Sequence, residues 1–180
     1  MFPVVLPAVR KIKEVESLVN SAFSTFVLLG GHLGQIKPIV DLARARGKGV
    51  ILHADLIDGL KNDEYAAEFL CQTVRPLGLI STRTSVIQRT KMNKVLAIQR
   101  LFLLDSDALE RSYALIEKTR PDYIEVMPGV IPELIQEVKA RTGVPVIAGG
   151  LIRSAEQVDA ALTAGAAAVT TSRRELWKLG

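Results

Sequence analysis

Short β-rich runs alternate with longer helical segments along almost the whole chain, and this alternation limits the fold more than any other feature. It predicts parallel strands joined by helices, because parallel neighbours need a long crossover connection. Aromatic residues make up only 5% of a chain that is 48% hydrophobic, as expected for a parallel sheet covered on both faces. The predicted strands are 26–30, 50–55, 79–82, 96–102, 123–127, 144–148 and 167–171.

Both an open doubly wound sheet and a barrel fit this alternation. No Gly-x-Gly-x-x-Gly follows the first predicted strand, whereas loops of phosphate-binding type follow the last two, which is their usual place in a barrel. The chain has 180 residues, fewer than the roughly 200 to 250 that are usual for this fold. We therefore expect a small or incomplete (β/α) TIM-type barrel as one domain over residues 1–180, preceded by a helix over 7–21 that starts at Pro7.

Two loops near the C-terminus favour phosphate binding. A buried strand runs directly into Gly149 and Gly150, which lack Cβ and let backbone N–H groups approach an oxyanion. One helix and one strand later, Thr171 and Ser172 repeat the arrangement, and Ser172 with Glu175 predicts a capping box that opens a short final helix. Each loop alone also fits a tight structural turn, but the pair together favours an anion site.

Polar side chains at the predicted strand ends are candidates for the rest of a binding site. Asp55 and Glu125 are carboxylates in apolar strands, where a hydroxyl-bearing ligand would supply hydrogen bonds. His53 shares a strand face with Asp55 if the two-residue period holds, and a buried structural histidine fits it equally well. Arg100 either contacts the ligand or forms a structural pair with a carboxylate.

Six segments of the chain form a recognisable set when they are read together. They are HADLIDGL (53–60), GLIST (78–82), AIQRLFLLDS (97–106), PDYIEVMPG (121–129), IAGGLI (147–152) and AVTTS (168–172). Together they resemble the bacterial glycerol-3-phosphate-responsive antiterminators, the regulators of the glycerol uptake operon. The resemblance implies a barrel regulator that binds glycerol 3-phosphate and acts on leader mRNA. It places the phosphate at Gly149, Gly150, Thr171 and Ser172, and the glycerol hydroxyls at Asp55 and Glu125. His32 and Arg83 depart from the family pattern, in which we expect an acidic residue and a lysine.

A basic stretch is the candidate RNA surface. Residues 69–104 contain no acidic residue and hold the cations that we assign to RNA, namely Arg83, Arg89, Lys91 and Lys94. Without the family resemblance, such a run fits a solvated helix face. It also lacks aromatic residues between Phe69 and Phe102, so no stacking platform is expected within it.

Composition limits the remaining functions. The net charge of +4 suits a phosphorylated metabolite or RNA, and no apolar run reaches the roughly 18 residues of a membrane span, so we expect a cytoplasmic protein. Two histidines and the single Cys71, expected to be buried, do not make a zinc site, and we expect no cofactor and no catalytic residue. The alternatives are a barrel enzyme acting on a phosphorylated metabolite, with Asp55 and Glu125 as acid and base or Mg²⁺ ligands, and a sensor that contacts a protein. A homo-oligomer is also possible, because the sequence does not reveal the oligomeric state.

Overall fold

The computed structural model describes residues 2–180, which contain ten strands and eight α-helices. The strands are β1 (Val5–Val9), β2 (Thr25–Leu28), β3 (Gly31–His32), β4 (Gly49–His53), β5 (Ile57–Asp58), β6 (Gly78–Ser81), β7 (Leu96–Phe102), β8 (Tyr123–Met127), β9 (Val146–Gly149) and β10 (Ala168–Thr171). The helices are α1 (Ile12–Val19), α2 (Leu33–Ala45), α3 (Glu64–Phe69), α4 (Thr84–Met92), α5 (Ser106–Thr119), α6 (Pro132–Thr142), α7 (Ala155–Thr163) and α8 (Arg174–Trp177). Each described helix is too short or too polar to cross a bilayer.

Eight of the strands form a closed parallel barrel in the order β1-β10-β9-β8-β7-β6-β4-β2, which confirms the predicted fold class. The remaining two, β3 and β5, pair with each other outside the barrel. The chain forms two compact units: an N-terminal unit, Ala8–Ala97, and a C-terminal unit, Ile98–Gly180 together with the start of the chain through Pro7.

The N-terminal unit is built on β4. Phe26 of β2 pairs with Val50, and Leu79 of β6 pairs with Leu52 on the other side. These four side chains are almost fully buried. Because these strands are buried on both faces, neither face needs polar residues, and the strands are continuous apolar runs.

In the C-terminal unit, each strand from β7 to β10 pairs with the next one along the chain. Leu6 and Pro7 of β1 then pair with Thr170 and Thr171 of β10. Parallel strands place their carboxyl ends at one edge, so the loops after β9 and β10 start next to each other.

The predicted helix over 7–21 is wrong at its start. Residues Val5–Val9 are a strand with all five residues buried, and the helix begins at Ile12 after Lys11 as N-cap. Pro7 suits the first turn of a helix, but it also fits a strand, where its missing N–H removes one ladder hydrogen bond. Burial of the run VLPAV outweighs that loss, and β1 supplies the eighth strand that closes the barrel.

Candidate functional site

A buried charge pair joins two neighbouring strands of the C-terminal unit. Arg100 on β7 is directly opposite Glu125 on β8, and Arg100 Nε donates to Glu125 Oε2 over 2.7 Å. The Thr170 hydroxyl on β10 donates to Glu125 Oε1, also over 2.7 Å. The glutamate side chain is 2% exposed and the arginine side chain 10%. Both carboxylate oxygens therefore have a protein donor, which offsets the cost of burying the charge.

Gly149 closes over this carboxylate. A Cβ at this position would lie 2.8 Å from Glu125 Oε1 and 2.8 Å from Thr170 Oγ1, closer than a carbon can approach. Gly149 also pairs with Thr170 in the β9–β10 ladder. The glycine is thus needed for packing against the buried charge pair, a reason that the sequence alone does not reveal.

The loop after β9 turns in a left-handed conformation, and it stays a candidate for binding the phosphate. Gly150 and Leu151 both adopt positive φ angles, of 75° and 59°. Ser154 then caps α7 by accepting a hydrogen bond from the Gln157 N–H over 3.4 Å, while Gln157 Oε1 accepts from the Arg153 N–H. Left-handed turns aim successive N–H groups toward one side, where an oxyanion can sit.

The loop after β10 differs from its prediction. The N-cap of α8 is Arg173 and not Ser172, so the capping box of Ser172 with Glu175 is wrong. The Thr171 hydroxyl accepts a hydrogen bond from the Arg173 N–H over 3.2 Å, which tightens the turn and delays the helix by one residue. The Trp177 indole donates to the Thr171 carbonyl over 2.9 Å and fixes the loop, while Ser172 is left exposed.

Asp55 lies in the N-terminal unit, in a 3₁₀ turn after β4, and not in the strand that we predicted to reach it. Its carboxylate accepts hydrogen bonds from the Ser81 hydroxyl and, over 2.7 Å and 2.8 Å, from the Thr82 N–H and hydroxyl. The pairing that we assigned to a ligand is therefore supplied in part by the end of β6. The serine and threonine were missed because they follow Asp55 by 26 and 27 positions.

Two histidines have different surroundings. His53 ends β4, is 3% exposed and pairs with Ile80 of β6. His32 is the N-cap of α2, and its Nδ1 accepts a hydrogen bond from the Gly34 N–H over 3.2 Å. An aspartate could accept the same bond, so the departure at residue 32 keeps a capping acceptor.

The four predicted RNA-binding residues cluster around one helix of the N-terminal unit. Arg83 is the N-cap of α4, Arg89 and Lys91 lie within the helix, and Lys94 follows its end. Arg89 is also held by Glu68 of α3, with Nη1 3.5 Å from Oε2. The acidic residue missing from the basic stretch is therefore supplied by the preceding helix.

Cys71 is buried as predicted, and burial raises the pKa of its thiol to about 11. Within residues 2–180, no three His, Cys, Asp or Glu side chains cluster in a way that could hold a metal ion.

The family model described as glycerol-3-phosphate responsive antiterminator matches residues 5–177. The chain belongs to this family. It is therefore an antiterminator by family, as the resemblance predicted. A structural neighbour is the glycerol uptake operon antiterminator regulatory protein of Listeria monocytogenes, at TM-score 0.94 and 48% identity, covering 97% of this chain and 94% of that one.

The chain is also similar to more distant proteins. An antiterminator-related protein from Thermotoga maritima is similar at TM-score 0.87 and 29% identity over 99% of both chains. The uncharacterized protein YgcP of Escherichia coli is 30% identical over 97% of this chain and 92% of its own length. A deoxyribose phosphate aldolase from Aeropyrum pernix, at TM-score 0.72 and 19% identity, covers 97% of this chain and 89% of its own and shares the fold alone.

Proposed function

We propose that this antiterminator binds glycerol 3-phosphate, with the phosphate held by its C-terminal unit, and, in response, binds the leader mRNA of a glycerol-utilisation operon. The observation that carries the proposal is the pairing of Gly149 with Thr170, which starts the two candidate phosphate loops from adjacent strands. Membership of a glycerol-3-phosphate responsive family supplies the effector.

The phosphate is assigned to Gly150 and Ser172, together with Gly149 and Thr171. Gly150 turns at a positive φ angle in the first loop, and Ser172 carries an exposed hydroxyl in the second. The proposal takes the donors from these two neighbouring loops. A dianionic phosphate is held well by several N–H and O–H donors, because charge-assisted hydrogen bonds are roughly twice as strong as neutral ones. α8 has only four residues, so the loop donors and not a helix dipole carry this assignment.

The glycerol hydroxyls are assigned to the pair of Glu125 and Arg100. A carboxylate oxygen has two lone pairs, so each Glu125 oxygen keeps an acceptor position after its protein hydrogen bond. By the same count Asp55 keeps one acceptor position, on Oδ1, because Oδ2 already accepts from both the N–H and the hydroxyl of Thr82. Asp55 and His53 stay candidates for contact with the glycerol hydroxyls, and single substitutions of each test both assignments.

The RNA contact is assigned to the α4 cations Arg83, Arg89, Lys91 and Lys94. Lysine and arginine contacts to phosphates make affinity fall as salt rises, with a slope that reports their number. The pair between Arg89 and Glu68 predicts that Arg89 contributes least of the four.

We further propose that the protein acts as a regulator and not as an enzyme, with no catalytic residue and no cofactor. The buried Glu125 carboxylate is tied to an arginine and a threonine, which favours positioning a ligand over moving protons. Leader transcripts are made in the cytoplasm, so the proposal places the protein there.

Thermal denaturation with glycerol 3-phosphate tests the effector. Ligand at about 100 times its dissociation constant adds roughly 2.7 kcal/mol, or about 5 to 11 °C for a chain of this size. Glycerol and inorganic phosphate, tested separately, should shift Tm far less. Ser172→Ala should weaken glycerol 3-phosphate binding by about 1.5 to 3 kcal/mol. The control Ser106→Ala, at the exposed first residue of α5, should leave binding unchanged. No shift at millimolar glycerol 3-phosphate would refute the effector.

Fluorescence anisotropy with labelled leader RNA tests the second half. Charge reversal at Arg83, Lys91 and Lys94 should weaken binding, and the salt slope should fall by about 0.7 to 0.9 for each RNA phosphate that the variant no longer binds. The control reverses three exposed cations elsewhere, Lys13, Arg111 and Lys178. Equal RNA binding at low salt by both variants would rule out this surface, and turnover of glycerol 3-phosphate would favour the enzyme alternative.

A further inference from the structure

Helix α3 presents two aromatic side chains to solvent. Tyr65 is 71% exposed and Phe69 is 40% exposed, and they lie four residues apart, so they are neighbours on one helix face. Ala66 and Ala67 face the core from the opposite side. Two adjacent rings left in water form an apolar surface that the fold itself does not use.

This aromatic face borders the basic helix α4. Glu68, between the two rings in sequence, reaches Arg89 of α4, and Gln72 Nε2 donates to Asn93 Oδ1 over 3.2 Å at the far end of α4. The two helices thus lie side by side within the N-terminal unit. In the sequence, Tyr65 precedes the basic stretch and Phe69 is its first residue, so the rest of the stretch up to Phe102 has no aromatic residue. The fold brings these two rings beside the cations of α4.

Rings beside cations match the chemistry of unpaired RNA. Bases that are not in a duplex stack on aromatic side chains, while neighbouring phosphates contact lysine and arginine. In a double helix the base faces are stacked on each other, so they are not free to stack on exposed rings of a protein. The acidic residues of α3 itself are Glu64 and Glu68, and Glu68 pairs with Arg89 over 3.5 Å. Asp63, just before the helix, caps it by accepting from the Ala66 N–H.

We infer that Tyr65 and Phe69 stack on unpaired bases of the RNA whose phosphates contact α4. The surface therefore selects a single-stranded segment and not a duplex. This inference rests on the proposed function, because it requires that α4 binds RNA.

Substitution of both rings by leucine tests the inference, since leucine keeps apolar volume and removes the flat π face. In the presence of glycerol 3-phosphate, Tyr65→Leu/Phe69→Leu should weaken leader RNA binding by about 5-fold to 150-fold for each base that stacks. The salt slope should stay unchanged, because every cation that binds an RNA phosphate is still present. Tyr65→Phe should retain the affinity, and Leu42→Ala, at an apolar residue of α2 that is 44% exposed, serves as control.

The outcomes separate the inference from the proposed function. Absence of RNA binding by the unaltered protein, with effector present, would overturn both. Unaltered protein that binds, with leucine variants that bind equally well, would overturn the stacking alone. So would an equal loss of affinity for a blunt RNA duplex. A change from dimer to monomer in sedimentation, with RNA binding intact, would also overturn the stacking and would show that the rings join two copies of this chain.

Discussion

Removing either partner of the buried pair between Arg100 and Glu125 should destabilise the protein strongly. The atoms Nε and Oε2 are 2.7 Å apart, and the side chains are 10% and 2% exposed. Arg100→Met leaves a buried carboxylate with Thr170 as its remaining donor in the network, and Glu125→Gln leaves a guanidinium without its counter-charge. Loss of one partner from such a pair costs about 3 to 5 kcal/mol.

The double variant Arg100→Met/Glu125→Gln should lose much less than the sum of the two single variants. It removes both charges, so no uncompensated charge stays buried, and the glutamine can still accept from the Thr170 hydroxyl. The coupling energy between the two sites should exceed about 1.5 kcal/mol, well above the roughly 0.5 kcal/mol within which independent sites add.

Urea unfolding without ligand measures these free energies by linear extrapolation. Lys37→Met provides the control, because Lys37 pairs with Asp41 over 2.5 Å but both side chains are about half exposed, at 50% and 43%. Such a surface pair contributes only about 0 to 1 kcal/mol. Single variants of the buried pair that cost less than about 1 kcal/mol, or two costs that simply add, would refute the reasoning.

Three further predictions concern single side chains. Gly149→Ala should lower the free energy of unfolding by about 1 to 3 kcal/mol in the same urea assay, because the added Cβ would clash with the buried Glu125 carboxylate. In the control Gly34→Ala the nearest atom to the added Cβ is 3.4 Å away, so that variant should be neutral or stabilising. Equal effects of the two substitutions would contradict the close packing at Gly149. Burial raises the pKa of the Cys71 thiol to about 11. At pH 8 this thiol should therefore react with a thiol reagent about a hundredfold more slowly in the folded protein than in the unfolded protein. Burial and a hydrogen bond to Glu137 raise the pKa of Tyr113 to about 12, so the folded state holds this proton more tightly and its stability should fall as pH rises from about 10 to 12. Glu137→Gln should lower that pKa in an ultraviolet titration, and an unchanged curve would exclude the bond.

The barrel could be predicted because its strands are buried on both faces and therefore read as short apolar runs between helices. Seven of its strands follow that pattern, and each predicted run overlaps an observed strand. The eighth, β1, escapes prediction because Pro7 is a local signal for a helix start, whereas its place in the strand depends on pairing with Thr171 far along the chain. Local propensity cannot weigh a contact of that separation.

The site was predictable in its residue types but not in its partners. Glu125 stands out as a carboxylate in an apolar strand, and Arg100 as a cation in another, yet only the register places them opposite each other. Nothing in the sequence distinguishes Thr170 from the neighbouring Thr171, although Thr170 is the residue whose hydroxyl donates to Glu125. Asp55 follows an apolar strand in the sequence, but the donors that surround it come from β6 and the residue after it.

Because Gly149 has no side chain, the residues at positions 125, 149 and 170 limit which substitutions the others can accept. A lineage that gains a methyl group there must first shorten Glu125 or Thr170 to make room, and a lineage that loses the glutamate releases the glycine from its steric constraint. Residues 125, 149 and 170 should therefore change together among homologues, as a coordinated exchange and not as independent drift.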